Sequence, residues 1–398
     1  MKGPFSIWPF FGLTIWIDTF THILRWNDES KIDPYKPIRS VSVMIPAHRE
    51  QKDIVSSLKS IYRQRYPVKN VFVVGDKFSD ATRSIIGSLS KRYGNLKYIE
   101  SPFASKAMKV NYLVKNFNEK LGDFIYVMDA RVVIEEESIE RIISCFNKRK
   151  VAAVTSYGRV SIPKNFLSRS YHYGKAWVNE IGRFRKNAQE KRKAVFVICG
   201  ASTIYRKNVL KRNPIPSCTK TEDTHYTWVL QRKGYKIRVA DDAVASSPDI
   251  DGYGLQGITN QIKQSYRWSA GTMQCLVYES GNIMKNKKLF FSTIIPGFVE
   301  SVTYSIVLVL SPFFLFFTPE LVAGFFIGDT VFSIFGTLVI TPSKFKKTVI
   351  HYPQILLFKY INALIFVIAF FVVNFGAIFG NPNNWSNEWT PLETTVEG

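Results

Sequence analysis

The sequence predicts an α/β domain built on a doubly wound sheet, joined to a C-terminal bundle of transmembrane helices. Three observations predict it. Between residues 41 and 131 short β-branched apolar runs alternate with helical patterns, three long apolar stretches follow residue 289, and the excess positive charge lies between the two ends of the chain. Of the 398 residues, 53 are basic and 31 acidic, a formal net charge of +22 at pH 7. The segment from Trp26 to Lys288 holds 47 of the basic and 24 of the acidic residues, so the whole excess sits there. The mean hydropathy of −0.03 is therefore an average over a polar and an apolar part. With 46% hydrophobic and 15% aromatic residues, the composition excludes a disordered chain, a collagen-like repeat and a small disulfide scaffold.

Taken in order, residues 5–24 (FSIWPFFGLTIWIDTFTHIL) are apolar but contain Pro9, Asp18 and His22. They read as a first span or an interfacial helix, and no small-residue cleavage site follows to suggest a signal peptide. After the linker IDPYKPIRS, VSVMIP (41–46) reads as a buried strand and 54–62 as a helix. VFVVGD (71–76) is a second strand ending at an acid, followed by helical patterns over 80–93 and 106–116. A third strand, FIYVMDA (124–130), carries Asp129 at its end. Strands and helices alternating at this spacing give a doubly wound sheet with parallel strands. Ligands bind such sheets beyond the carboxyl ends of the strands, so Asp76 and Asp129 mark a nucleotide pocket.

Pro296 to Phe317, Leu321 to Ile340 and Ile355 to Phe379 are apolar nearly all round. Each is close to the ~20 residues a helix needs to cross a bilayer. Glu300, Pro312, Asp329 and Lys359 interrupt them, and in lipid such groups should face other helices or a cavity. Lys285, Lys287 and Lys288 mark an interfacial segment that would attract anionic membrane lipids. Lys344, Lys346 and Lys347 lie in the last connecting loop, whereas the tail beyond Gly380 has three Glu and no Lys or Arg. The positive-inside rule then places the basic domain in the cytoplasm and the tail outside. The expected divisions are an N-terminal transmembrane or interfacial helix (1–25), a cytoplasmic α/β domain (38–275), an interfacial segment with three spans (283–380) and an extracytoplasmic tail (381–398). Cys145, Cys199, Cys218 and Cys275 form no CxxC pair and are expected as free thiols.

The motifs VSVMIPAHRE (41–50), VVGDKFSDAT (73–82), SKAMKVN (105–111), YVMDAR (126–131), Gly200 before a short strand, TEDTHYTWVLQRKGYKI (221–237) and QSYRWSAG (264–271) occur in this order. Together they resemble the membrane-bound family 2 glycosyltransferases, the group that includes hyaluronan, chitin and cellulose synthases. The resemblance runs from Val41 to Gly271 and extends to the habit of ending in a bundle of spans. It implies the nucleotide-sugar-binding GT-A fold, a doubly wound mixed sheet, and an inverting transfer from a nucleotide diphosphate sugar, most naturally a UDP-sugar.

The site residues follow from the resemblance. Asp76, with Asp80 beside it, would accept a hydrogen bond from the base; read alone, it is a turn acid after a strand. Lys106, in a segment shared with Asn111, would meet the donor diphosphate as a point charge, although a lone lysine is usually a solvated one. Asp129 would hold Mg²⁺ or Mn²⁺, but the family's D-x-D is here Asp129, Ala130, Arg131. A hard cation can be held by one carboxylate plus substrate phosphates, and Arg131 can itself neutralise diphosphate charge. Asp223 would be the catalytic base that takes the proton of the acceptor hydroxyl. Glu222 would lie on the acceptor side, although an acid opening a helix needs no further reason. Gln264 and Arg267 would bind the departing diphosphate, and Trp268 would offer a flat face to an acceptor sugar.

The expected acceptor is a growing polysaccharide. Its rivals are a lipid acceptor, such as a polyprenyl phosphate or a ceramide, and a non-catalytic scaffold, the latter favoured by Arg131 and by Arg49 where the family usually has Asn. The runs RFRK (183–186) and KRK (191–193) suggest nucleic acid, but no nucleic-acid-binding fold accompanies them and no nucleic-acid partner is expected.

Overall fold

A computed structural model describes residues 17–18, 20–21, 39–76, 81–160, 166–247, 254–340 and 342–379. Most of the N-terminal apolar stretch, Asp80 and the acidic tail lie outside the described residues. The chain forms two compact units, neither of them continuous in sequence. One contains residues 29–159 and 197–250, the other 1–28, 160–196 and 251–382. The expected 38–275 segment therefore contributes to both.

The first unit is an eight-stranded sheet with strand order β3-β2-β1-β4-β7-β6-β8-β5. Its strands are β1 (Val41–Ala47), β2 (Val68–Gly75), β3 (Leu96–Glu100), β4 (Phe124–Met128), β5 (Val133–Ile134), β6 (Val151–Val160), β7 (Ser202–Arg206) and β8 (Lys236–Ser247). The first four run parallel. The expectation of parallel strands holds up to β4; β7 then pairs antiparallel with β4, and β6 antiparallel with β7. The sheet is thus mixed, as the GT-A resemblance implies. Val41, Val43, Ile45, Val71, Val73 and Tyr126 are fully buried, as expected where helices cover both faces of parallel strands. The connecting helices are α1 (Ile54–Tyr62), α2 (Thr82–Arg92), α3 (Lys106–Asn116), α4 (Ser138–Ser144) and, beyond residue 197, α6 (Lys207–Arg212) and α7 (Glu222–Arg232).

The second unit is helical. It contains α5 (Phe166–Arg192), α8 (Gly254–Glu279), α9 (Ile295–Phe314), α10 (Pro319–Ile340), α11 (Phe345–Ile350) and α12 (Tyr352–Phe379). Three segments, Lys287–Phe314, Pro319–Leu338 and Tyr352–Phe375, are long and apolar enough to cross a membrane. Only 28, 25 and 28% of their apolar windows are buried within the protein, so most of their apolar surface faces outward. Charged groups on these helices face one another. Lys359 on α12 donates to both oxygens of Asp329 on α10, each at 2.9 Å, and to the Ser333 hydroxyl at 2.7 Å. Tyr304 on α9 and Tyr352 donate to the same carboxylate at 3.2 and 2.9 Å. Asp18 is likewise buried, paired with Arg192 at 2.6 Å and Arg185 at 3.1 Å on α5. The four cysteines are free thiols.

Candidate active site

Beyond the carboxyl ends of the parallel strands lie Asp76, after β2, and Asp129, after β4. The β1–β2 register sets Ala47 opposite Gly75, which brings the next residues, His48 and Asp76, side by side. His48 Nδ1 lies 2.9 Å from Asp76 Oδ2, and Lys109 Nζ on α3 donates to that oxygen at 3.2 Å and to the Ala47 carbonyl at 2.9 Å. Burial pushes the Lys109 ammonium below the usual lysine range, against the pull of Asp76 and Glu50. The carboxylate expected to read the base is thereby fixed from two sides. Neither His48 nor Lys109 was singled out by the sequence, although Lys109 sits in the same KAMKVN segment as Lys106.

Asp129 follows β4, and its backbone N–H donates to the Ala201 carbonyl at 3.0 Å. Lys106, the first residue of α3, donates to Asp129 Oδ1 and, at 2.6 Å, to the carbonyl of Gly200. Burial opposes the charge on Lys106, but Asp129, Glu222 and Asp223 outweigh it and hold its pKa above the usual lysine value. Asn111 is structural: its amide exchanges two hydrogen bonds of 2.9 Å with the Ile215 backbone, tying α3 to the loop that leads to α7.

Glu222 and Asp223 open α7, where the helix dipole favours acids. One Asp223 oxygen accepts from the Gly200 N–H at 3.1 Å and the other from the Thr224 N–H at 2.8 Å. Thr227 donates to the Asp223 carbonyl and accepts from the Ile198 N–H, which pins the 198–200 loop to the helix. Lys106, Gly200, Tyr205, Glu222, Asp223 and Tyr226 line one small pocket. Three of the predicted site side chains, Lys106, Glu222 and Asp223, thus converge there from α3 and α7, with Gly200 from the loop before β7.

Arg131 has turned from the pocket toward α1. Its Nε donates to Glu50 at 2.9 Å and lies 3.7 Å from Asp53. Burial pushes Glu50 up to about 7; Arg131 pulls it down and Asp53 and Asp129 push it further up. Gln264, Arg267 and Trp268 lie on α8, in the other unit. Trp268 is 46% exposed, and Gln264 accepts from Lys175 on α5 at 3.3 Å.

The family described as "Glycosyltransferase like family 2" matches residues 37–271, more than half of the chain. The chain belongs to this family. The glycosyltransferase is 24% identical over 342 residues to the poly-β-1,6-N-acetyl-D-glucosamine synthase of Staphylococcus epidermidis, covering 85% of this chain and 76% of that one. It is 25% identical over 348 residues to the probable glycosyltransferase YdaM of Bacillus subtilis, with 82% and 78% covered. Among solved structures it resembles the mannosyltransferase PcManGT of Pyrobaculum calidifontis in complex with GDP-Man and Mn²⁺. There the TM-score is 0.62 at 14% identity, over 91% of this chain and 96% of that one. At that identity the likeness speaks to the fold, and the fold is GT-A.

Among the described residues no cluster of three His, Cys, Asp or Glu side chains forms a metal cage. The donor set of this glycosyltransferase still suits a hard cation of the kind that takes one carboxylate and completes its shell with water and substrate phosphates. The Asp129 side chain is 43% exposed and, among the described residues, only its Oδ1 is engaged, by Lys106. Such an ion would supply charge neutralisation to the donor's phosphates.

Proposed function

We propose that the enzyme moves a sugar from a nucleotide diphosphate donor, most naturally a UDP-sugar, to a growing polysaccharide on the cytoplasmic side of a membrane, with inversion at the anomeric carbon. The observation that carries this reading is the S. epidermidis relative named poly-β-1,6-N-acetyl-D-glucosamine synthase, whose alignment covers 85% of the chain, beyond the 37–271 family match.

In this reading Asp76, held by His48 and Lys109, accepts a hydrogen bond from the base. Lys106 neutralises the donor diphosphate. Asp223 takes the proton from the acceptor hydroxyl as its oxygen attacks the anomeric carbon, and the nucleoside diphosphate leaves on the opposite face. A carboxylate already fixed by two backbone N–H groups needs no reorganisation to act as that base. Gln264 and Arg267 receive the departing diphosphate, while Glu222 and Trp268 serve the acceptor. Asp129 would hold Mg²⁺ or Mn²⁺ together with the donor's phosphates, and the ion would supply charge neutralisation there. The GDP-Man and Mn²⁺ carried by PcManGT support a nucleotide-sugar donor and a divalent ion.

The test is a screen of radiolabelled nucleotide sugars with membranes containing the protein, followed by sizing of the product. Label in a high-molecular-weight polymer is expected from one UDP-sugar. Label found only in single-sugar lipids would replace the polysaccharide with a lipid acceptor, and no transfer from any donor would point to a scaffold.

A further inference from the structure

Lys175, on α5, is absent from the motifs that carry the family resemblance, yet it is bound to the helix that bears the last of them. Its ammonium donates to Gln261 Oε1 at 2.7 Å and to Gln264 Oε1 at 3.3 Å. Gln261, Gln264 and Arg267 follow one another at three-residue spacing, so they share one face of α8. The neighbouring turns of α5 are anchored as well. Tyr173 stacks on His351 with centroids 3.6 Å apart, Gly174 abuts Phe358 too closely to admit a Cβ, and Trp177 donates to Thr337 at 2.9 Å.

The orientation of both amides is fixed by chemistry. An ammonium has three donors and no acceptor, so only the carbonyl end of a glutamine can face it. A turned amide would set N–H₂ against N–H₃⁺. The N–H₂ ends therefore face away from Lys175, and that of Gln261, a residue only 1% exposed, has no hydrogen-bond partner among the described residues. A buried donor left without a partner costs about 1–3 kcal/mol and is a group waiting for an acceptor.

We propose that Lys175 is a positioning residue: by holding Gln261 and Gln264 through their carbonyl oxygens, it turns their N–H₂ groups, alongside Arg267, into a donor-only face for the departing diphosphate. The proposal rests on the reading above in which Gln264 and Arg267 bind that group. Without the ammonium the Gln264 amide is free to turn and offer its oxygen, a repulsive partner for an anion. Charge on the leaving oxygen grows in the transition state, so the loss falls on kcat more than on the KM for the donor.

The experiment is a double-mutant cycle on the purified full-length enzyme, with kcat and donor KM measured for each variant and folding checked by thermal unfolding in detergent. K175M is expected to lower kcat about tenfold or more with little change in KM, K175R to restore most of it, and K175M to slow the Q264A enzyme by much less than it slows the wild type. A K175M enzyme with unchanged kcat, or losses that simply multiply in the double variant, overturns the proposal. A Q264A enzyme with unchanged kcat removes the Gln264 reading itself, and the proposal with it, and that arm alone reports it. Should K175M fail to fold, K175Q goes through the same cycle.

Discussion

An oxygen of the Asp223 carboxylate sits 3.1 Å from the amide nitrogen of Gly200, and a Cβ added to Gly200 would come within 2.6 Å of that same oxygen. Only glycine lets the loop before β7 close on the head of α7. The same residue offers its carbonyl to Lys106 at 2.6 Å, so one peptide segment spaces Asp223, the proposed base, from Lys106, the lysine proposed to meet the diphosphate. Gly200→Ala must push the carboxylate aside, and a displacement of about 1 Å at a reacting group can cost on the order of 10²-fold in rate. Asp223→Asn keeps the shape and removes the base, with an expected loss of roughly 10²- to 10⁴-fold. For both variants, nucleotide binding measured by calorimetry should stay near the wild-type value while transfer falls. An Asp223→Asn enzyme with normal turnover would move the base elsewhere.

How much of this was readable beforehand depended on range. Asp76 and Asp129 were visible because a parallel strand buried on both faces reads as an unbroken apolar run with a polar end. Strand β3, LKYIE, carries no strand signal in the sequence because it mixes charge with apolar residues over only five positions. Lys109 resembles any helical surface lysine until the strand register brings Asp76 and Ala47 against it. Lys175 and Gln264 are 89 residues apart, and no local pattern joins them. The switch to antiparallel pairing at β7 is equally a property of the assembled sheet.

Metal dependence turns on Arg131. In place of a second carboxylate it points a cation at Glu50 and Asp53, so in the proposed function Asp129 would share the ion with the donor's phosphates alone. Chelation by EDTA should therefore abolish transfer, and Mn²⁺ or Mg²⁺ should restore it. Because a single carboxylate holds the ion weakly without substrate, nucleotide binding should tighten when metal is added. Full activity in EDTA would overturn the metal reading and leave the neutralising role to Lys106 and Arg267.

Glu50 makes stability depend on pH. Its carboxyl is pushed from 4.5 up to about 7, mainly by burial, so between those values the folded protein keeps a proton that the unfolded chain has released. Stability from this group is complete below about pH 4.5 and is lost as pH rises through 7, with a slope of at most ~1.4 kcal/mol per unit. Glu50→Gln should flatten that segment of the thermal-unfolding profile in detergent. An unchanged slope would mean that the Arg131 pair already keeps Glu50 ionised.

The Asp329–Lys359 pair should behave differently when broken than when removed. Lys359 donates to both carboxylate oxygens and stands 4.6 Å over the Trp177 ring, while Tyr304 and Tyr352 complete the shell of Asp329. The pair therefore ties α10 to α12, with α9 and α5 contributing one side chain each. Lys359→Met leaves a buried carboxylate without its cation, a loss of roughly 3–5 kcal/mol for a pair of this kind. Asp329→Asn with Lys359→Met removes both charges and keeps hydrogen-bonding groups for the two tyrosines, so it should be markedly more stable than the single lysine variant. Thermal unfolding of the two variants in the same detergent decides the matter. If the double variant is no better than Lys359→Met, the ammonium contributes through its contact with Trp177 rather than by neutralising Asp329.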